Sequence, residues 1–191
     1  MNNDEAVVAV VKALEAIGVP FMVTGSFASN FYGVPRATKD ADFILETDAI
    51  DFARLRSALG PELQLDPQLS FEGVTTTFRY QIHKRSSPPF TIELFILSND
   101  PYDLERFRRR RRGTTVGVPV ELPSPEDVII NKLRWSKQGR RTKDIDDARN
   151  VIAVQTGRLD WDYIHRWCDV HGTRELLENI RRSIPTKIEP G

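Results

Sequence analysis

The chain predicts an α/β fold followed by a C-terminal helical segment, and three observations carry that reading. Short apolar or β-branched runs alternate with helical periodicity over residues 1–122. One run, FTIELFIL (residues 90–97), is almost continuously apolar, as a strand buried on both faces requires. Beyond Pro123 the strand signals stop and only amphipathic segments follow. The expected division is an α/β domain over residues 1–122 and a helical region over 123–191 packed on it.

Taken in order, Val7, Val8, Val11, Leu14 and Ile17 recur at three- and four-residue spacing and predict an amphipathic helix ending at Gly18. PFMVTG (20–25) predicts a strand stopped by glycine. SFASNFYG (26–33) predicts a short helix that opens on a serine cap and closes on Gly33. ADFILE (41–46) predicts a strand, and residues 48–59 a helix with Ile50, Phe52, Leu55 and Leu59 on its apolar side. VTTTFRYQIHK (74–84) and residues 90–97 predict two strands around the turn SSPP. Residues 99–112 predict a helix whose end is an arginine run, and VGVPVEL an edge strand, because Pro119 lacks a backbone donor. SPEDVIINKLRWSK places serine before proline and acids in the first turn, a strong helix start. KDIDDARNVIAVQ, DWDYIHRWCDV and TRELLENIRRSI predict three more helices.

Composition narrows the function classes. A formal net charge of zero gives no drive toward bulk adsorption on nucleic acid or membrane. No run of about 18 apolar residues predicts a membrane span, and the opening residues lack the basic, then apolar, pattern of a signal peptide. The single cysteine, Cys168, has no internal partner, which suits a reducing compartment, so a cytoplasmic protein is expected. His83, His165 and His171 are scattered without metal-ligand spacing, and no Walker A or Ser/His/Asp pattern is present. Trp161 and Trp167 read as helix-packing residues.

The informative stretch is GSFASNFYGVPRATKDADF, Gly25 to Phe43. Side chains two apart on a strand share a face, so Asp40 and Asp42 present two carboxylates together. Two hard oxygen donors at that spacing suit Mg²⁺, which takes one or two carboxylates plus phosphate oxygens. Gly25 lets backbone approach a phosphate closely, and Ser26 with the first amides of the following helix forms an anion site. Glu93 is an acid inside an apolar strand, costly unless a partner or a metal neutralises it. A salt bridge to Arg79 on the preceding strand is the competing explanation for it.

Gly-Ser, then about a dozen residues, then Asp-x-Asp, then a lone acid on a later strand resembles the nucleotidyltransferase (polymerase-β-like) superfamily. The string GSFASNFYGVPRATKDADF, with LPSPEDVIINKLRWSKQGRRTKDIDDARNV downstream, is similar to its minimal bacterial branch that includes AbiEii-type toxin nucleotidyltransferases. The resemblance spans roughly Phe21 to Val151. It implies the nucleotidyltransferase fold, a small mixed sheet with flanking helices, and attack by a hydroxyl on the α-phosphate of a nucleoside triphosphate with loss of pyrophosphate. It also implies two Mg²⁺ ions, replaceable by Mn²⁺, held by Asp40, Asp42 and Glu93 as metal and catalytic residues. Gly25 and Ser26 would hold the terminal phosphates; Arg36, Thr38 and Lys132 would neutralise the triphosphate; Asp144 would orient Lys132 or touch the second substrate. Lys132, Lys143, Asp144 and Asp147 match the branch's downstream element. In this superfamily the third acid is usually aspartate, whereas here it is Glu93.

Alternatives stay open beside this reading. A retained fold that binds nucleotide or RNA with weakened chemistry is one. A complex-forming protein is another. Arg106 and Arg108 to Arg112 put six arginines in seven positions, interrupted only by Phe107; they are either a solvated helix end or a contact for an RNA backbone. Lys132 can equally be a surface lysine, and Asp144, Asp146 and Asp147 helix N-terminal acids. The acceptor is RNA, protein or a small molecule, and a toxin role would bring an antitoxin partner.

Overall fold

The computed structural model describes residues 1–47, 50–86, 88–139 and 142–185. Fifteen elements follow in order: α1 (Asn3–Ile17), β1 (Phe21–Thr24), α2 (Gly25–Tyr32), β2 (Asp40–Leu45), α3 (Phe52–Leu59), β3 (Leu63–Glu72), β4 (Thr77–Lys84), β5 (Thr91–Ile96), α4 (Pro101–Arg108), β6 (Arg111–Thr115), β7 (Val118–Leu122), α5 (Pro125–Gly139), α6 (Thr142–Val154), α7 (Trp161–His171) and α8 (Arg174–Ser183). Five strands form one mixed sheet in the order β1-β2-β5-β4-β3, and β6 and β7 form a separate two-stranded sheet. Within the large sheet only β2 and β5 run parallel.

The expected helices and strands are present with informative differences. Gly18 closes α1 in the left-handed region, donating to the carbonyls of Glu15 and Leu14. Thr24, not Ser26, stands at the N-cap of α2; Ser26 lies inside the first turn. Asp51 caps α3 by accepting from the Arg54 amide, so that helix starts at Phe52, while Asp48 and Ala49 lie outside the described residues, as does Ser87 of the SSPP turn. Residues 74–76 belong to the turn before β4 rather than to the strand.

One strand was not expected from the sequence, and one expected helix is corrected. β3 carries no clean alternation in sequence because Pro67 interrupts it. It is an edge strand, and its register on β4 shifts between Asp66 and Ser70, where a residue without an amide donor is tolerated. The arginine run is not one helix end: α4 stops at Arg108 and the chain re-enters as β6 at Arg111. Arg106 is buried against Asp103, Arg109 is tied to Glu126 and Asp127, and Arg110 lies over the Phe107 ring. Arg108, Arg111 and Arg112 are the exposed members.

Strand parity decides what faces what. On β2, Ala41, Phe43 and Leu45 point one way and Asp40, Asp42 and Ile44 the other. The register pairs Asp42 with Glu93, so Ile92 and Leu94 join the Phe43 side and Glu93 and Phe95 the Asp42 side. The Phe43 side shares a continuous core with α1 (Val7, Val10, Leu14) and α3 (Leu55, Leu59). The same core takes in Ile129 and Leu133 of α5, Val151 of α6, Ile164 of α7 and Leu177 of α8. On the opposite face Met22, Ile44, Phe95 and Phe107 form a smaller apolar cluster that Trp135 flanks. Burying each large aliphatic side chain contributes about 1.5–3 kcal/mol, so the sheet is anchored hard on one side. The other side carries Asp40, Asp42 and Glu93 beside the smaller apolar cluster. Among the described residues no helix is long and apolar enough to cross a membrane.

Candidate functional site

A cleft of about 210 Å³ opens on the polar side of the sheet, far more room than one water needs. Thr24, Gly25 and Ser26 line it at the β1–α2 junction, Asp40 and Asp42 on β2, Arg79 on β4, and Glu93 on β5. Asn131, Lys132 and Trp135 of α5 and Lys143 and Asp144 of α6 form the facing wall. Residues distant in sequence are brought together because β1, β2 and β5 are neighbours and α5 packs against α2 and α6.

Gly25 and Asp42 meet at the centre. Thr24 is the register partner of Asp42 across β1 and β2. Gly25 follows at φ +59°, and a Cβ there would stand 1.8 Å from the Asp42 Oδ2. The carboxylate therefore occupies the space that any other residue's side chain would fill. Asp42 carries the strongest perturbation in the site: burial, then the charges of Glu93 and Asp40, push its carboxyl up to about 7, with Lys132 and Lys143 pulling the other way. Asp40 is held by the Thr38 hydroxyl, which donates to Oδ1 at 2.6 Å.

Glu93 is partly buried and fully engaged. Arg79 Nη1 lies 3.1 Å from Oε2, and Gln81 Nε2 donates to Oε1 at 3.0 Å. The Arg79–Glu93 salt bridge foreseen from sequence is thus present. Among the described residues no three His, Cys, Asp or Glu side chains gather closely enough to hold an ion. The donor chemistry nonetheless suits a divalent cation. Asp40, Asp42 and Glu93 are hard oxygen donors lining one cleft, and their mutual repulsion is what a cation would relieve.

Lys132 is buried on α5 rather than exposed, with Nζ 3.0 Å from Asp144 Oδ1 and 2.7 Å from Asp147 Oδ2. Asp147 in turn accepts a bidentate pair from Arg36, Nε and Nη2 each at 2.7 Å. Burial alone would raise the Asp147 carboxyl, but Arg36 and Lys132 outweigh it and hold it below the ordinary value. Arg36 also donates to Ser26 Oγ at 3.1 Å. Arg36 and Thr38 thus do not line the cleft; they brace Ser26 and Asp40, which do. Gly25, Ser26, Lys132 and Asp144 line it as expected from sequence, together with Lys143.

Other cleft residues were not visible as functional from sequence. Thr75, Thr77, Asn131, Trp135, Ser98 and Asp103 line the same space, and so does Arg106, which the sequence offered only as a solvated helix end or an RNA contact. Buried polar atoms without a hydrogen-bond partner collect here: Thr75 Oγ1, Arg79 Nε, Arg106 Nε and Nη1, Asn131 Oδ1 and Asp144 Oδ2. Leaving such an atom unpaired costs about 1–3 kcal/mol, so these groups are places where an ordered water or a small side-chain shift would supply a partner. Strand parity was the usable signal for Arg79 and Gln81, which alternate with Tyr80 on β4 opposite Glu93.

No protein-family model matches the chain, and no curated protein matches it. Solved structures do. The antibiotic-resistance factor ANT(2'')-Ia, in complex with adenylyl-2''-tobramycin, aligns over 92% of this chain and 99% of its own, at 14% identity and a TM-score of 0.58. A solution structure of the same factor covers 94% and 96% at 13% identity, TM-score 0.55. JHP933 from Helicobacter pylori covers 95% and 94% at 16% identity, TM-score 0.50. At these identities the likeness concerns architecture, and the architecture is the mixed α/β nucleotidyltransferase-type fold.

Proposed function

We propose that the chain is a metal-dependent nucleotidyltransferase that moves a nucleotide from a nucleoside triphosphate to an acceptor hydroxyl. The observation that carries this reading is the seating of Asp42 against Gly25, where a helix N-terminus, Asp40 and Glu93 meet on one cleft wall. Asp40, Asp42 and Glu93 would hold Mg²⁺ or Mn²⁺. Two such ions, when bound, stabilise the charge on the entering and leaving oxygens. The first amides of α2 and Ser26 hold the terminal phosphates, and Lys132 and Lys143 offset their charge. The acceptor oxygen bonds to the α-phosphorus, the bond to pyrophosphate breaks, and the acceptor proton passes to a Glu93 oxygen. Arg36 and Asp147 keep Ser26 and Lys132 in place.

The downstream Lys132–Asp144–Asp147 cluster supports the minimal AbiEii-type branch, in which a toxin acting on RNA or protein is one role. A small-molecule acceptor is the other, in keeping with the adenylyl-2''-tobramycin bound to ANT(2'')-Ia. The engagement of Glu93 by Arg79 and Gln81 favours a second reading, a nucleotide-binding module with weakened chemistry. Incubating the protein and the Asp40→Asn/Asp42→Asn variant with each α-labelled nucleoside triphosphate, Mg²⁺ or Mn²⁺, total RNA and cell extract separates them. Label transferred only by the parent establishes the transferase and names the acceptor class. Nucleotide-dependent thermal stabilisation without transfer establishes the binding module.

A further inference from the structure

Glu93 stands beside Asp42 in register, on the same face of neighbouring parallel strands. Yet both of its oxygens are spoken for by β4, and it does not join Asp40 and Asp42 in a three-acid cluster. Arg79 is itself anchored from behind. The same Nη1 that meets Glu93 lies 3.2 Å from Glu72 Oε2 on the edge strand, and its guanidinium carbon lies 5.7 Å from the centroid of the Phe95 ring. Arg79 and Glu93 keep 25% and 18% of their side-chain surface exposed. Water screens a pair of that kind, so it can be exchanged for a better partner.

We propose that Arg79, aided by Gln81, is a positioning residue that occupies the Glu93 carboxylate beside the Asp40–Asp42 pair and releases it when a divalent cation binds. The proposal rests on the reading of the cleft as a metal–nucleotide site. Its physical basis is competition for one carboxylate between a guanidinium and a more compact charge. Before the cation arrives, Arg79 offsets the charge of Glu93, the acid that presses most on Asp42. After it arrives, Arg79 keeps Glu72 and turns to the anionic phosphate oxygens brought in with the cation. Arg79 lines the cleft and keeps a quarter of its side-chain surface exposed, so its guanidinium can reach them. The protein then presents three carboxylates only when there is a positive charge to receive them.

The test is Mn²⁺ binding to the full chain, followed by electron paramagnetic resonance with and without ATP, and arranged as a double-mutant cycle. Arg79→Met should tighten Mn²⁺ binding by about tenfold, the order of one half-buried charge-assisted contact. Gln81→Leu, which removes the Glu93 Oε1 contact and keeps the Arg79–Glu93 pair, should tighten it less. In a Glu93→Gln background both gains should vanish, because the carboxylate they release is gone. A gain from Arg79→Met that survives in Glu93→Gln would be a general effect of removing a positive charge and would overturn the latch. So would wild-type and Arg79→Met proteins with equal affinity. Should the wild type bind no Mn²⁺ at all, or bind it equally after Asp40→Asn/Asp42→Asn, the metal–nucleotide reading fails as well. Thermal unfolding of each variant without Mn²⁺ confirms that the compared proteins are folded.

Discussion

The carboxylate of Asp42 sits where a side chain on Gly25 would have to be, 1.8 Å from the position of its missing Cβ. Two residues seventeen positions apart thus form one steric unit, and each limits what the other can become. Gly25→Ala meets both this overlap and a backbone at φ +59°. It should cost about 1–3 kcal/mol of stability by denaturant titration and abolish nucleotide transfer. Adding Asp42→Ala to it removes the overlap, so part of the stability should return while transfer stays absent. Full activity in Gly25→Ala would refute the geometry.

The crowding around Asp42 also predicts a pH dependence. Its carboxyl is raised to about 7 in the folded protein against 3.8 in the unfolded chain. The folded state therefore binds the proton more tightly, and the stability this group contributes is fully present below about 3.8 and is lost as pH rises through about 7. Without divalent cations, the parent should lose stability relative to Asp42→Asn as pH rises from about 4 to about 7, and level off above that. Parallel pH profiles for the two proteins would contradict the assignment. Mn²⁺ affinity should move the opposite way and rise over that window, since the cation competes with the proton.

Lys132 neutralises two buried carboxylates at once. Replacing it with methionine leaves Asp144 uncompensated and Asp147 dependent on Arg36, and should cost about 3 kcal/mol. The Michaelis constant for the nucleoside triphosphate should rise as well. Lys132→Arg should restore part of both. A methionine variant as stable as the parent would show that the buried network contributes nothing.

The arginine run should behave as two separate groups. Arg106→Ala empties a fully buried site and leaves Asp103 with Arg134 and Ser98, so a loss of about 2–4 kcal/mol is expected. Changing exposed Arg108, Arg111 and Arg112 together to serine should stay within about 0.5 kcal/mol. If that exposed trio meets an RNA backbone, the same triple change flattens the salt dependence of RNA binding in a filter assay.

Much of this was legible because it is local. The period-two spacing of Asp40 and Asp42, the glycine before a serine, and the cap at Ser124 each follow from rules that act within a few residues. Those rules placed one wall of the cleft, on β2 and at the β1–α2 junction. They also set Glu93 and Arg79 on adjoining strands. They failed at β3, where Pro67 hid an edge strand, and at the arginine run, where a helix pattern continued in composition after α4 had ended.

By itself the sequence determined which residues carry charge and which face of each element they occupy, since side-chain chemistry and strand parity need no partner. Only the tertiary structure decided which charges meet. The order β1-β2-β5-β4-β3 set Glu93 beside Asp42 and within reach of Arg79. The packing of α5 on α6 buried Lys132 between Asp144 and Asp147. The energy of an ionised group depends on what surrounds it within a few ångströms, and those surroundings come from parts of the chain that no local pattern links.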